Sequence, residues 1–222
     1  MGIRPRHAFH VVPLGLDLSR FDVPADEREA RRRALRVELG IQGDVPLVVL
    51  VARLVPIKRV DRFLRIAARV AAADPAAHFV VVGDGELRAE LHELPEAAAM
   101  RGRLHWPGFR RDMPDVFLAA DVVVQTSDNE GTPVSLIEAA ATGRAGVTTD
   151  VGGSASVVLD GQTGYVVARA DEQAFAARVV ELLGDAEWRR VLGEAARDHV
   201  RATFALDRLV GDLAHLYRRA LA

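Results

Sequence analysis

Six short apolar runs, at residues 47–52, 78–82, 103–106, 121–125, 145–149 and 164–167, constrain what this chain can fold into more than any other feature. Segments of helical periodicity lie between them at residues 60–73, 85–94, 113–119 and 133–142. Val, Leu and Phe occupy consecutive rather than alternate positions in the main runs, so such strands are apolar on both faces and need cover on both. Helices alternating with the strands supply that cover through right-handed crossovers. The predicted fold class is α/β, a single Rossmann-like, doubly wound parallel sheet. Residues 26–39 read as an amphipathic helix with an acidic first turn, and residues 171–183, 186–200 and 206–221 as C-terminal helices.

At 222 residues the chain exceeds one average domain and falls short of two. Residues 1–25, punctuated by Pro5, Pro13 and Pro24, read as a linker, and residues 26–205 as one domain. The 29 basic and 31 acidic residues nearly cancel, so no global field attracts nucleic acid and any polyanion site is local. Without cysteine, disulfide frameworks, Cys-ligated zinc, iron–sulfur clusters and thiol catalysis are excluded, and the reducing cytoplasm is the expected compartment. Neither a membrane-spanning stretch nor an export signal is read. Arg28, Arg31, Arg32, Arg33 and Arg36 share the first helix; they read as a solvated face, with peripheral contact at the inner membrane face as the alternative.

Lys58 is the one lysine among the 29 basic residues. In an arginine-biased chain a retained lysine reflects either chance or a need for a compact ammonium in place of a guanidinium fork.

Ligands of open parallel sheets bind beyond the carboxyl ends of the strands, so the loops there carry the chemistry. After the first run, Arg53 and Lys58 lie five residues apart in a loop stiffened by Pro56, and both can reach one diphosphate. After the second comes Gly83-Asp84-Gly85, either a site of close backbone approach or an ordinary turn. The fourth leads into the segment 126–138, where Pro133, read as a first helical residue, leaves the amides around Gly131, Thr132 and Val134 for an anion. Glu130 and Glu138 flank and enter that helix just over two turns apart. Carboxylates beside an anion site suit ligand hydroxyls, as in sugars and ribose; a dipole partner and a buried cap are the structural alternative. A further pair, Gly152 and Gly153, follows the fifth run.

Competing motifs are absent: no G-x-G-x-x-G at the first strand, no G-x-x-x-x-G-K-[ST], no G-x-S-x-G and no H-E-x-x-H. His7 and His10 have no acidic partner at ligand spacing and no metal site is read.

Together these loops resemble the C-terminal, donor-binding domain of GT-B glycosyltransferases of the "glycosyl transferases group 1" (family 4) type. Val51-Ala52-Arg53-Leu54-Val55-Pro56-Ile57-Lys58 resembles the family's v-g-R-L-x-x-x-K segment, and Val81-Val82-Gly83-Asp84-Gly85 its i-v-G-d-G segment. Glu130 and Glu138 match its E-x7-E motif, Thr149 to Gly153 its t-d-v-G-G segment, and Gly161 to Val167 its d-G-x-t-G-x-l-v segment. The likeness spans roughly residues 11–220. It departs at Ala145, where the family has proline, and at Ser156, where it has glutamate.

The resemblance implies a retaining, metal-independent transferase of polysaccharide or glycoconjugate biosynthesis, with no cofactor and a nucleotide-diphosphate sugar, UDP-sugar favoured, as donor. Arg53, Lys58 and Glu130 are implied as catalytic residues, with Gly83, Gly85, Gly131, Thr132, Pro133, Val134 and Glu138 binding the donor. The acceptor is expected on an N-terminal domain that this chain does not include, with Val11 to Asp17 resembling the interdomain segment and residues 206–222 a crossover helix. The chain alone is expected to be inactive. Leu209, Leu213, Leu216 and Tyr217 are then expected to lack cover and to favour a homodimer through that helix. Two alternatives stand beside this reading: a non-catalytic nucleotide-sugar-binding subunit of a split enzyme, and half of a nucleotide-sugar 2-epimerase.

Overall fold

The computed structural model describes residues 10–221; His7 and Pro5 lie outside the described residues. Its centre is a six-stranded parallel sheet in the order β3-β2-β1-β4-β5-β6. The strands are β1 Leu47–Val51, β2 His78–Val82, β3 Leu104–Gly108, β4 Val122–Gln125, β5 Gly146–Thr149 and β6 Gly164–Val167. β1 pairs on one side with β2 and on the other with β4, so the chain reverses its direction of growth between these two central strands. Consecutive apolar residues make the expected two-sided strands: all four residues of β4 and of β5 are buried.

Helices α1 Ala25–Glu38, α5 Met113–Ala119, α6 Val134–Ala141 and α9 Ala186–Phe204 cover one face. On the other lie α2 Val60–Ala73 and α8 Glu172–Gly184. Phe63 meets Phe79 edge-on at 6.4 Å in one core, and Phe21 meets Phe117 at 6.2 Å in the other. Phe21 comes from the stretch read as a linker. With Leu18 and Val23 it is buried, and Leu16 is bonded through its backbone to Phe204 and Leu206.

Several boundaries depart from expectation for local reasons. The helix expected over residues 85–94 is confined to α3 Arg88–His92, and a second short helix, α4 Pro95–Ala99, follows it. Gly85 is drawn against Leu54, and Pro95, lacking an N–H, starts α4 rather than continuing α3. β3 extends through Pro107 and Gly108, with its register against β2 shifting between Val80 and Val82. A further single turn, α7 Ser154–Val157, follows the second glycine pair. Pro133 is the residue capping α6 rather than its first helical residue, its carbonyl accepting from Leu136 and Ile137.

The final helix, α10 Leu206–Leu221, contains no buried residue. Leu213 and Tyr217 are exposed, Leu209 and Leu216 are half-buried, and Leu209 rests on Gly15. The arginines of α1 are largely paired: Arg31 with Glu27 at 2.8 Å, Arg33 with Glu29 at 2.6 Å and Arg32 with Asp44 at 2.7 Å. Only Arg31 and Arg33 are solvated as expected: Arg28 and Arg32 are half-buried and Arg36 is buried, because that side of α1 packs on the sheet. No helix among the described residues is long and apolar enough to cross a membrane.

Asp121 ties α1 to the sheet. Its buried carboxylate accepts from the Leu47 amide at 2.8 Å and from Arg36 at 2.9 Å. Asp121→Ala leaves the buried Arg36 guanidinium with only the exposed Asp44, at 3.6 Å, as counter-charge, and is expected to cost about 3 kcal/mol in urea unfolding. Asp121→Asn, which keeps an acceptor for the Leu47 amide, should cost less; equal losses would show that the amide contact carries nothing.

Candidate functional site

The loops after β1 and β4 meet at the carboxyl edge of the sheet, where the strand order reverses. After β1, Arg53 is exposed and a single 3-10 turn over Pro56–Lys58 carries the lysine back towards the sheet. The next residue, Arg59, has a left-handed backbone at φ 49°, a conformation that costs a side-chain-bearing residue energy and has to be held by its surroundings. Three contacts hold it. Arg59 pairs with Asp61 at 2.9 Å and with Asp128 at 3.0 Å, while Thr126 Oγ1 donates to its carbonyl at 3.0 Å.

The same contacts bind the first loop to the second. The Asp128 amide donates to the Ile57 carbonyl at 2.9 Å, and Arg62 reaches both the Thr126 carbonyl and the Asp128 carboxylate at 2.7 Å. Burial pushes the Asp128 carboxyl upward, but Arg62 and Arg59 outweigh it and hold the group below its usual range. At Asp61, against the same upward pull of burial, Arg59 and Arg65 bring the carboxyl down to about 2.

Within this frame Lys58 Nζ donates to Glu130 Oε1 at 2.6 Å, and Ser127 Oγ donates to the same oxygen at 2.6 Å. An ammonium has three donors, and this ion pair uses one. Glu130 is thereby fixed immediately before Gly131, Thr132, Pro133 and Val134, which lead into α6. Pro133 is buried and Val134 exposed. The first-turn amides of a helix have no partner within it, so the entry to α6 presents donors and the positive end of the helix dipole.

Gly152 and Gly153 hold that entry in place. A Cβ at either would lie 1.8 Å from the Glu130 carbonyl or 1.9 Å from the Gly131 carbonyl, and the Gly153 amide donates to Glu130 at 3.0 Å. Gly83 and Gly85 behave alike towards the carbonyls of Ala52 and Leu54. Both glycine pairs thus admit the protein's own backbone, fastening one site loop to the next.

A cleft of about 650 Å³ opens beside these loops. Arg53, Gly83 and Glu138 line it, so Arg53 and Glu138 face one cleft. Lys58, Glu130 and residues 131–134 form a separate cluster joined to the cleft by the loop 53–58. Sequence reasoning missed Arg20, Phe109, Arg110, Arg111 and Met113 in the cleft wall. Arg20 belongs to the stretch read as linker, and Phe109, a large apolar side chain left exposed, follows β3 with no periodic pattern to mark it. Ala145 is buried in the core, and Ser156 donates to the Gly153 carbonyl at 2.6 Å, closing the α7 turn. No group of three or more acidic or histidine side chains with metal-binding geometry occurs among the described residues.

A family model described as "Glycosyl transferases group 1" matches residues 31–199. The chain is 34% identical over 230 residues to the D-inositol 3-phosphate glycosyltransferase of Geodermatophilus obscurus, covering 99% of this chain and 49% of that protein. It is 36% identical over 226 residues to the protein of the same description from Salinispora tropica, covering 96% and 46%. The chain therefore spans about half the length of the curated relatives it matches. Among solved structures, Anabaena Alr3699/HepE in complex with UDP and glucose shares the fold, with a TM-score of 0.84 at 22% identity, covering 94% of this chain and 56% of that one.

Burial pushes the Glu138 carboxyl above the ordinary 4.5, opposed in part by Arg20. A carboxyl raised by folding binds its proton more tightly folded than unfolded, so its ionisation destabilises the fold as pH rises through and above the ordinary value and has no effect well below it. Glu138→Gln is expected to raise Tm by about 2 °C at pH 7 and to leave it unchanged near pH 3. The same shift at both pH values would show that charge is not the cause.

Proposed function

The chain belongs to the glycosyl transferases group 1, and on that premise we propose that its cleft binds the nucleotide-diphosphate sugar donor of a retaining glycosyl transfer. The observation that carries this reading is the 2.6 Å pair between Lys58 and Glu130, which places a cation, a carboxylate and the entry to α6 at one point of the sheet edge. The remaining two ammonium donors of Lys58, the Arg53 guanidinium and the amides around Gly131 and Val134 are a donor set for a diphosphate. Glu138, lining the cleft beside Arg53, is assigned the ribose hydroxyls, and Glu130 the donor sugar, in keeping with the family's E-x7-E motif.

Transfer leaves a nucleoside diphosphate carrying the negative charge that develops as the glycosidic bond breaks. Arg53, Lys58 and the α6 terminus stabilise that charge in place, which is the part a divalent ion plays where one is used. This reading therefore requires no metal. Glu130, already fixed by Lys58 and Ser127, has an orientation set before the donor arrives, so little reorganisation accompanies binding.

In this proposal the acceptor comes from a second lobe, in cis or in trans, which also excludes water; alone, the chain binds donor but turns it over poorly. The Anabaena neighbour holds UDP, which makes uridine donors the first to test.

Titration with UDP, GDP and ADP and their glucose conjugates, followed by Tm, should give a shift selective for one base. Arg53→Ala and Lys58→Ala should each weaken that ligand by about 10–100-fold, the cost of one charge-assisted contact. Unchanged affinity in both variants would refute the diphosphate assignment. Glucosyl transfer or sugar-nucleotide hydrolysis by the chain alone at about 1 s⁻¹, within the ordinary enzymatic range, would refute dependence on a second lobe.

A further inference from the structure

At the opposite, amino edge of the sheet lies a second pocket, of about 400 Å³, between α1, the turn before β5 and the first half of α9. Six arginines line it: Arg28 and Arg32 from α1, Arg144 from the turn, and Arg189, Arg190 and Arg197 from α9. Three carboxylates also face it, those of Glu29, Asp121 and Glu194, and each is already engaged. Asp121 serves Arg36 at 2.9 Å and Arg32 at 3.2 Å, Glu194 serves Arg190 at 2.6 Å, and Glu29 serves Arg33, outside the pocket, at 2.6 Å.

Two of the guanidinium groups have no carboxylate within ion-pair distance among the described residues. Arg28 donates to the Thr142 carbonyl, while Arg144 donates to the carbonyls of Phe117 at 3.0 Å and Leu118 at 2.8 Å. Such bonds leave other N–H donors on each fork. Among the described residues the one carboxylate that Arg197 meets is Asp22, at 3.5 Å, and Asp22 is shared with Arg201. Burial and then the neighbouring positive charges of Arg32, Arg28 and Arg36, partly offset by Asp121, hold Arg144 down at about 10. Arg28 is lowered by burial and by Arg197. The packing that assembles the pocket is tight: a Cβ on Gly193 of α9 would lie 2.2 Å from the Gly143 carbonyl, so the helix is seated directly on the turn.

Partly desolvated like charges around a cavity repel one another unless an anion joins them. We propose that this pocket is a second anion site, binding a phosphate or pyrophosphate group between Arg28, Arg144 and Arg197, independently of the donor cleft. Forked guanidinium groups converging from three elements match the tetrahedral oxygens of a phosphoryl group. The cavity has room for a pyrophosphate or for the phosphorylated end of a small molecule.

The two diphosphate-binding regions are separated by titrating the full chain carrying Arg53→Ala and Lys58→Ala, in which the donor cleft is disabled. Calorimetry with pyrophosphate is expected to show one site in that variant, and adding Arg28→Gln with Arg197→Gln should weaken it at least 10-fold. The quadruple variant should melt no lower than its parent in anion-free buffer, because repulsion is removed, and should lose the rise in Tm that pyrophosphate gives. Glu194→Gln, which removes a carboxylate from the pocket, should tighten binding. Orthophosphate binding as tightly as glucose 6-phosphate would assign a free anion; a clear preference for the sugar phosphate would assign a phosphorylated metabolite. No binding to the Arg53→Ala, Lys58→Ala chain, or binding indifferent to Arg28, Arg197 and Glu194, overturns the proposal.

Discussion

Two loops that leave neighbouring strands for opposite faces of a sheet have to be pulled together before they can share a ligand. Here the Lys58 ammonium and the Glu130 carboxylate do so, at 2.6 Å across the gap between β1 and β4. The surrounding contacts make that bond dependable: Asp128 takes Arg59 and Arg62, Thr126 takes the Arg59 carbonyl, and the glycines at 152 and 153 let the next loop press on the carbonyls beneath Glu130. A site assembled in this way has its groups placed by backbone and buried ion pairs before any ligand arrives.

Much of the fold was legible because its signal is local. Residues 60–73, 78–82, 113–119, 164–167 and 206–221 fold as their periodicity predicts, and two-sided apolar strands left no architecture but a covered parallel sheet. The approach of Lys58 to Glu130, and the presence of Arg53 and Glu138 in one cleft, also follow from loops at the carboxyl ends of adjacent strands. What escaped was non-local. Arg20 reaches the cleft only because Leu18, Phe21 and Val23 bury themselves against the domain, and Phe109 stands at the rim because β3 runs two residues further than its apolar run. Gly83 and Gly85 were legible as a close approach, but nothing in the sequence said that the approaching group is the chain's own carbonyl.

The division of labour between cations is equally spatial. At the amino edge, guanidinium forks terminate helices: Arg36 bonds to Ala119, Arg144 to Phe117 and Leu118, and Arg189 to Leu182 and Leu183. These carbonyls lie in the last turns of α5 and α8, and each guanidinium places positive charge where the helix dipole is negative. The lone ammonium stands at the other edge. A planar fork suits two carbonyls side by side, whereas a compact charge with three donors suits a carboxylate and an incoming anion at once. Arg59 and Arg62 at that same edge take the carboxylates of Asp61 and Asp128, which leaves the contact with Glu130 to the lysine.

Growth of the sheet also has to stop somewhere. On one flank stands β3, whose Pro107 supplies no amide hydrogen and whose pairing slips out of step beside it; on the other stands β6, only four residues long. Neither border offers a long regular ladder on which another copy could extend the array, so colloidal behaviour at high concentration should be governed by the exposed Val210, Leu213 and Tyr217 of α10 rather than by strand-to-strand polymerisation.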